Sequence, residues 1–358
     1  MADMALAMVE HPAVSGLRDH PIPHRVKRSA DGKTLRDYLR EVVPPRDRDG
    51  IDEAIAEGRF RWRGEDVPLG PDALMRPGET LLADVPDITP DDPFLPPPPD
   101  VLPELLRDEG LLVIDKPPGL LSYPLGPRKV AAQSIAQLQL AADGIDDPLR
   151  PLHRIDRETS GILMFARTLL ADQRIKKAFR KRWVRKSYLA IVRGRVPGGM
   201  QKVVAPIGPE GLEIRMKMAV RDDGKPAETW VKTLGWFGDE DHGEAGRGFT
   251  WVEARPVTGR AHQIRVHLTH LGHPIVGDKM YCDGGEAFLK WWDGALDVAA
   301  IDRLGMPRQA LHAWTLAVRH PIHGEPIWLE APPPLDMVEF ARARGGDDPP
   351  APLREESW

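Results

Sequence analysis

Apolar positions divide the chain into stretches of different period. Up to residue 30 no period stands out, and Pro21, Pro23 and the basic Arg25-Val26-Lys27-Arg28 predict an irregular leader. From Thr34 the pattern changes: Leu35, Leu39 and Val42 recur at helical spacing, and Ile51 to Ala56 reads as a second short helix. Phe60 to Glu65 predicts a strand running into a turn, and Arg76 to Leu82 a second turn and strand. Asp87 to Pro103, with Pro93 and Pro96 to Pro99, cannot hold a helix and predicts a stiff extended linker. Beyond it short Val, Ile and Leu runs alternate with turns, and Asp172 to Trp183 supplies a helix leading into a strand around Tyr188. Gly238 to Gly248 and Gly284 to Arg308 read as insertions or mobile loops, and the Gly-, Asp- and Pro-rich segment after Ala341 predicts disorder. The organisation expected is a leader over 1–30, a small module over 31–86, a linker over 87–103, a large domain over 104–340 and a tail over 341–358.

A length of 358 residues accommodates one large and one small domain. The opening MADMALAMVEHPAV has no basic n-region and no long apolar run, so no signal peptide or membrane span is expected and cytoplasm is the default. The lone Cys282 permits no internal disulfide and no cysteine cluster for zinc or iron-sulfur, and is expected to be a spectator. A net charge of -5 counts against a phosphate-rich partner. Its distribution changes the picture. Between Arg150 and Arg195 a dense run of Arg and Lys is opposed only by Asp156, Glu158 and Asp172. A charge run is commonly just a solvated helix face. This one is one-signed and adjoins the motif described next, which favours an RNA footprint, with Lys176, Lys177, Arg180 and Lys181 as phosphate contacts.

That motif is His153-Arg154-Ile155-Asp156-Arg157-Glu158-Thr159-Ser160-Gly161, a carboxylate between two arginines ahead of a tight turn and an apolar strand. Positive neighbours favour the charged form of an acid, and an ionised carboxylate can serve as nucleophile or base. Asp156 is therefore the leading catalytic candidate, against the plainer reading of a surface ion pair beside a turn.

The segment HRIDRETSGILMFART resembles the catalytic motif of the RluA-type pseudouridine synthases. Further blocks follow in that family's order: LVIDKPPGL from Leu112, KSYLAIVRG from Lys186, GKPAET from Gly224, GRAHQIRVHLTHLGHPIVGDKMY from Gly259, and Leu311-His312-Ala313 with His320-Pro321 and Gly324-Glu325. The resemblance implies an α+β fold, a mixed, mainly antiparallel central sheet flanked by helices. The helix-helix-strand order before it is similar to the S4-like RNA-binding module that often precedes this catalytic domain, although Arg46-Asp47-Arg48-Asp49 cancels charge where basic residues usually cluster. The implied activity is isomerisation of uridine to pseudouridine in structured RNA by a monomer with no cofactor and no metal. Ribosomal RNA is favoured over transfer RNA because the N-terminal module typifies relatives acting there. Asp156 matches the family's catalytic aspartate, Arg265 the arginine that pairs with it, and Tyr188 the tyrosine that stacks on the target base and accepts a proton late. Arg154 matches the residue that fills the space left by a flipped base. Arg157, Thr159, Lys116, Arg260, His262, Gln263 and Ile264 are expected as further RNA or substrate contacts. One departure is Ser122-Tyr123-Pro124, where relatives often carry a histidine before the proline.

Two rivals stand beside this reading. A non-catalytic RNA-binding or ribosome-assembly protein on the same fold would not need Asp156, Tyr188 and Arg265 together. A glycoside hydrolase would need a second positioned carboxylate, and Glu158 is the only near one in sequence. His153, His262 and His267 lack a clustered acid or cysteine and do not read as metal ligands.

Overall fold

The computed structural model describes residues 22–42, 50–84, 94–124, 130–145, 147–211, 213–238 and 248–352. The chain divides into two compact units, one running to Pro90 with Pro124–Ile135, the other comprising Asp91–Tyr123 and Ala136–Trp358. The smaller contains β1 (Ile22–Arg25), α1 (Leu35–Val42), α2 (Ile51–Ala56), β2 (Phe60–Trp62) and β3 (Thr80–Ala83), with the strands antiparallel in the order β1-β3-β2. The helical spacing of Leu35 and Leu39 becomes the face that packs with Tyr38, Ile51, Ile55, Phe60, Trp62 and Leu81. β1 lies where an irregular leader was expected. It is an edge strand, where Pro23 is tolerated, and its order comes from backbone pairing with β3, which leaves no period in the sequence. The charge-cancelling Arg46–Asp49 stretch lies outside the described residues.

Then follow β4 (Glu104–Arg107), β5 (Leu111–Lys116), α3 (Ala132–Ala142), β6 (Arg150–Pro151), β7 (Ser160–Ala166), α4 (Leu169–Arg180), β8 (Arg185–Arg193), β9 (Met200–Val204), β10 (Ile207–Pro209), β11 (Met218–Val220), β12 (Glu228–Gly238) and β13 (Gly248–Pro256). α5 (Gln263–His270), α6 (Glu286–Trp292), α7 (Val298–Leu304), β14 (Leu311–Arg319), β15 (Pro326–Glu330) and α8 (Leu335–Arg342) complete the larger unit. Its sheet runs β4-β5-β7-β14-β8-β13-β12-β9, with β15 on β14 and β6 on β7. Among the described residues only β7 and β14 pair in parallel, Ser160 beside His312 and Gly161 beside Ala313. This is the expected mixed, mainly antiparallel sheet flanked by helices. At the parallel junction Gly161 has φ +102, and a Cβ there would fall 2.3 Å from the Ala313 carbonyl oxygen, so only glycine lets the strands meet. Every residue of β7 is buried, as a strand covered on both faces requires.

Three boundaries differ from expectation. The end of the proline-rich stretch is built into the larger unit: Leu102 is fully buried and its backbone N–H and carbonyl both bond the Gln139 side chain. α4 starts before Asp172, because Thr168 caps it by accepting the Ala171 N–H at 3.2 Å. The segment after Ala341 is ordered through residue 352: the Trp251 indole donates to the Asp347 carbonyl, and Arg342 pairs with Asp348. Residues 239–247 of one expected insertion and 353–358 of the tail lie outside the described residues. The other insertion forms α6 and α7. Among the described residues no helix is long and apolar enough to cross a membrane.

Candidate active site

Asp156 lies on the loop between β6 and β7, and the loop is pinned on both sides of it. The buried Ser122 hydroxyl donates to the Ile155 carbonyl at 2.8 Å and accepts the Ile155 N–H at 3.1 Å, while the Thr159 N–H donates to the Asp156 carbonyl. Lys116 ends β5 fully buried, its ammonium donating to the carbonyls of Pro117, Leu120 and Arg157 at 2.7, 2.8 and 3.0 Å. All three of its protons are used, so the expected substrate contact is corrected to a tie between the β5 turn and the Asp156 loop. Burial lowers the Lys116 pKa well below the ordinary lysine value.

Arg265 reaches the loop from α5. Its Nη1 donates to Asp156 Oδ2 at 2.9 Å, while Nε and Nη2 grip Asp278 at 2.7 and 2.8 Å. Asp278 is itself fixed, fully buried and accepting the backbone N–H groups of Met280 and Tyr281. Its place depends on Gly277, where φ is +77 and a Cβ would lie 1.8 Å from the Arg308 carbonyl oxygen. The guanidinium lies 4.8 Å from the Tyr281 ring centre, and the Tyr281 hydroxyl sits 2.9 Å from His262 Nδ1. His262, immediately before α5, lies in the left-handed region at φ +55, a strained conformation for a residue with a Cβ.

A cleft of about 720 Å³ opens over Asp156. Arg154, Thr159, Arg180, Tyr188, Arg260, His262, Gln263, Ile264 and Arg265 line it, as do Arg182 and Lys186. Among the described residues that line it, Asp156 is the only acid. Not every lining side chain is available to a ligand. Gln263 uses its amide on Glu228, Thr229, Thr258 and Arg260, and Thr159 accepts from Gln309 at 2.6 Å, so both shape the wall. Arg157, Lys176, Lys177 and Lys181 are not among the lining residues. Arg157 donates to the Gly119 carbonyl and lies over the Trp291 ring, and Lys176 pairs with Asp172. Glu158 is held by Lys279 at 2.8 Å, which deprives the glycosidase reading of its second carboxylate. His267 is buried between Thr229 and the Ala205 carbonyl, a core histidine.

Burial works against the charge on Asp156, but His262, Arg265 and Arg154 outweigh it, and its pKa falls below the ordinary aspartate value. His262 is itself pushed down to about 4, chiefly by burial, so at neutral pH the charges that keep Asp156 ionised are those of the two arginines. Burial pushes the Tyr188 phenol upward and Asp156 adds to the effect, leaving it neutral. His153 is pushed down to about 3 by burial and accepts the Met164 N–H. The arrangement can present one oriented, ionised carboxylate to a ligand carrying phosphate, beside a neutral aromatic face.

Ser122, Asp278 and Tyr281 were not singled out from the sequence as site residues. Asp278 and Tyr281 stand in the quoted GDKMY, but spacing does not say which guanidinium an aspartate meets. Residues 110–270 match the family model described as RNA pseudouridylate synthase. The chain is 37% identical over 335 residues to a ribosomal large subunit pseudouridine synthase D of Xanthomonas campestris pv. campestris, covering 93% of this chain and 94% of that protein. It is 33% identical over 325 residues to the protein of the same name from Yersinia pestis, covering 90% and 94%. Among solved structures, human RNA pseudouridylate synthase domain containing 1 superposes with a TM-score of 0.54 at 25% identity, covering 73% of this chain and 94% of that one.

Proposed function

The chain belongs to the RNA pseudouridine synthase family, and from that premise we propose that it isomerises uridine in ribosomal RNA with Asp156 as the carboxylate that meets the nucleotide. The observation that carries this is the isolation of Asp156 as the only acid among the described residues of a basic cleft, oriented by an arginine that Asp278 holds still. The reaction breaks the C1′–N1 bond, turns the uracil, joins C1′ to C5 and exchanges the C5 proton for one on N1, so no group is released and no redox partner is consumed. Asp156 acts either on the nucleotide as nucleophile or on the sugar as base, and ionisation serves both. Tyr188, neutral and half-buried in the wall, stacks on the uracil. Arg154, exposed at the cleft, takes the place of the base drawn out of the RNA. Ribosomal RNA as the substrate rests on the two bacterial relatives, whose names place them at the large ribosomal subunit. The smaller unit is read as an S4-like module that helps choose the RNA.

The test is complementation. Pseudouridines mapped in ribosomal RNA from cells lacking the gene should miss at least one site that the parent gene restores and Asp156→Asn does not. In vitro, the variant should fold and bind RNA while turnover falls by more than about 10³-fold, roughly 4 kcal/mol of barrier. Turnover within tenfold of the parent would remove Asp156 from the chemistry.

A further inference from the structure

The end of α4 departs twice from the usual way a helix stops. It closes in a Schellman turn, the Trp183 N–H donating to the Ala178 carbonyl at 2.9 Å and the Arg182 N–H to the Phe179 carbonyl at 3.1 Å. The left-handed position of such a turn is usually glycine, and the next residue commonly folds an apolar side chain back onto the helix. Here the left-handed position is Arg182, at φ +59, and the following Trp183 is 61% exposed. A glycine would relieve the backbone, and an indole folded inward would gain burial. Neither economy is taken.

The first departure puts Arg182 in the wall of the cleft, and the second leaves Trp183 exposed beside it in the chain. Arg180, Arg182 and Val184 line it, bracketing Trp183 on either side in sequence. The segment itself carries one sign: Arg180, Lys181, Arg182 and Arg185 are exposed, and no acidic residue occurs between Asp172 and Glu210. A membrane or protein partner would be met by a broader apolar patch than one ring among cations. Exposed indole beside closely spaced cations is the chemistry that holds single-stranded RNA, with phosphates neutralised and a base face laid on the ring.

We propose that Trp183 is a stacking platform for a base of single-stranded RNA neighbouring the nucleotide in the cleft, with Lys181 and Arg182 on its phosphates. The proposal rests on the reading of the cleft as an RNA site and not on the role of Asp156. Stacking of this kind is indifferent to base identity, so a probe that a uracil pocket does not take will isolate it. Full-length protein is titrated by fluorescence anisotropy with a fluorescein-labelled ten-residue oligoadenylate and with an abasic strand carrying the same number of phosphates. The parent should bind the oligoadenylate roughly tenfold more tightly than the abasic strand. Trp183→Ala should abolish that preference and leave abasic affinity nearly unchanged, and Trp183→Phe should keep most of it. Changing Lys181 and Arg182 to Gln should weaken both strands alike. Thermal melting establishes that each variant is folded. A Trp183→Ala protein that retains the parent's preference, or a parent that shows none, would overturn the platform. Because the readout is binding, a failure of the Asp156 assignment leaves this result intact.

Discussion

Arg265 and Arg308 are both buried, and each holds one aspartate through two hydrogen bonds, Arg265 to Asp278 at 2.7 and 2.8 Å and Arg308 to Asp336 at 2.6 Å for both. What differs is the rest of the fork. Arg308 turns Nη1 to the carbonyl of Gln309, so its remaining reach closes a turn ahead of β14. Arg265 turns Nη1 to a second carboxylate, Asp156, whose side chain stays 23% exposed in the cleft. The partners differ too: Asp278 is fully buried, whereas the Asp336 side chain is 43% exposed. A guanidinium whose charge is balanced by a buried aspartate and which still reaches a cleft-facing acid works as a bracket for that acid. One that spends its reach on carbonyls is a strut.

The largest effect should come from Arg265→Met, which strands Asp278 as a buried unpaired charge and frees Asp156. Stability should fall by about 3–5 kcal/mol, read by thermal or urea unfolding. Turnover in residual folded protein should fall by roughly 10³-fold. Adding Asp278→Leu should restore part of the stability, since an apolar replacement of a buried pair is often neutral while the Met280 and Tyr281 N–H groups lose their acceptor, but none of the activity. Recovery of turnover in the double variant would break the bracket reading. Arg308→Met should be milder, because water can reach Asp336: about 1–2 kcal/mol of stability and turnover within about threefold, less than 1 kcal/mol of barrier. A tenfold loss would mean that the strut also acts on the chemistry.

The smallest effect concerns pH. Asp156 has a pKa below the ordinary aspartate value, so its ionised form and the stability it contributes are present above that value and lost as pH falls through its folded pKa. The acid limb of kcat/KM should therefore lie below about 3.9 in the parent. Arg154→Gln removes one of the lowering charges and should move the limb upward. A limb that stays in place would assign the lowering to His262, protonated at that pH, and Arg265.

The Asp156 half of the bracket was legible in the sequence, and the other half was not. Asp156 is visible because its charged neighbours are adjacent in the chain, and the spacing of Leu35 and Leu39 predicts α1 because a helix face is a local property. Arg265 could be paired with Asp156 only through the family resemblance, since they stand 109 residues apart. Lys116 was misjudged for a related reason. A lysine beside a turn is ordinarily solvent-facing, and three inward-pointing carbonyls are a tertiary fact. β1 and the docking of the chain after Ala341 likewise depend on partners distant in sequence.

The parallel junction of β7 with β14 has a consequence for how the chain is made. Gly161 and Ala313 meet only after some 150 further residues are synthesised, which at about 5–20 residues per second takes roughly 8–30 s. Through that interval β7, apolar along its whole length, can pair with β5 and β6 while the edge meant for β14 stays unmatched. The nascent protein thus carries Asp156 long before it has a cleft, and its most exposed moment is a sticky strand edge awaiting a distant partner. Slowing translation between β7 and β14 should lengthen that wait, raising aggregation or chaperone dependence without altering the finished enzyme.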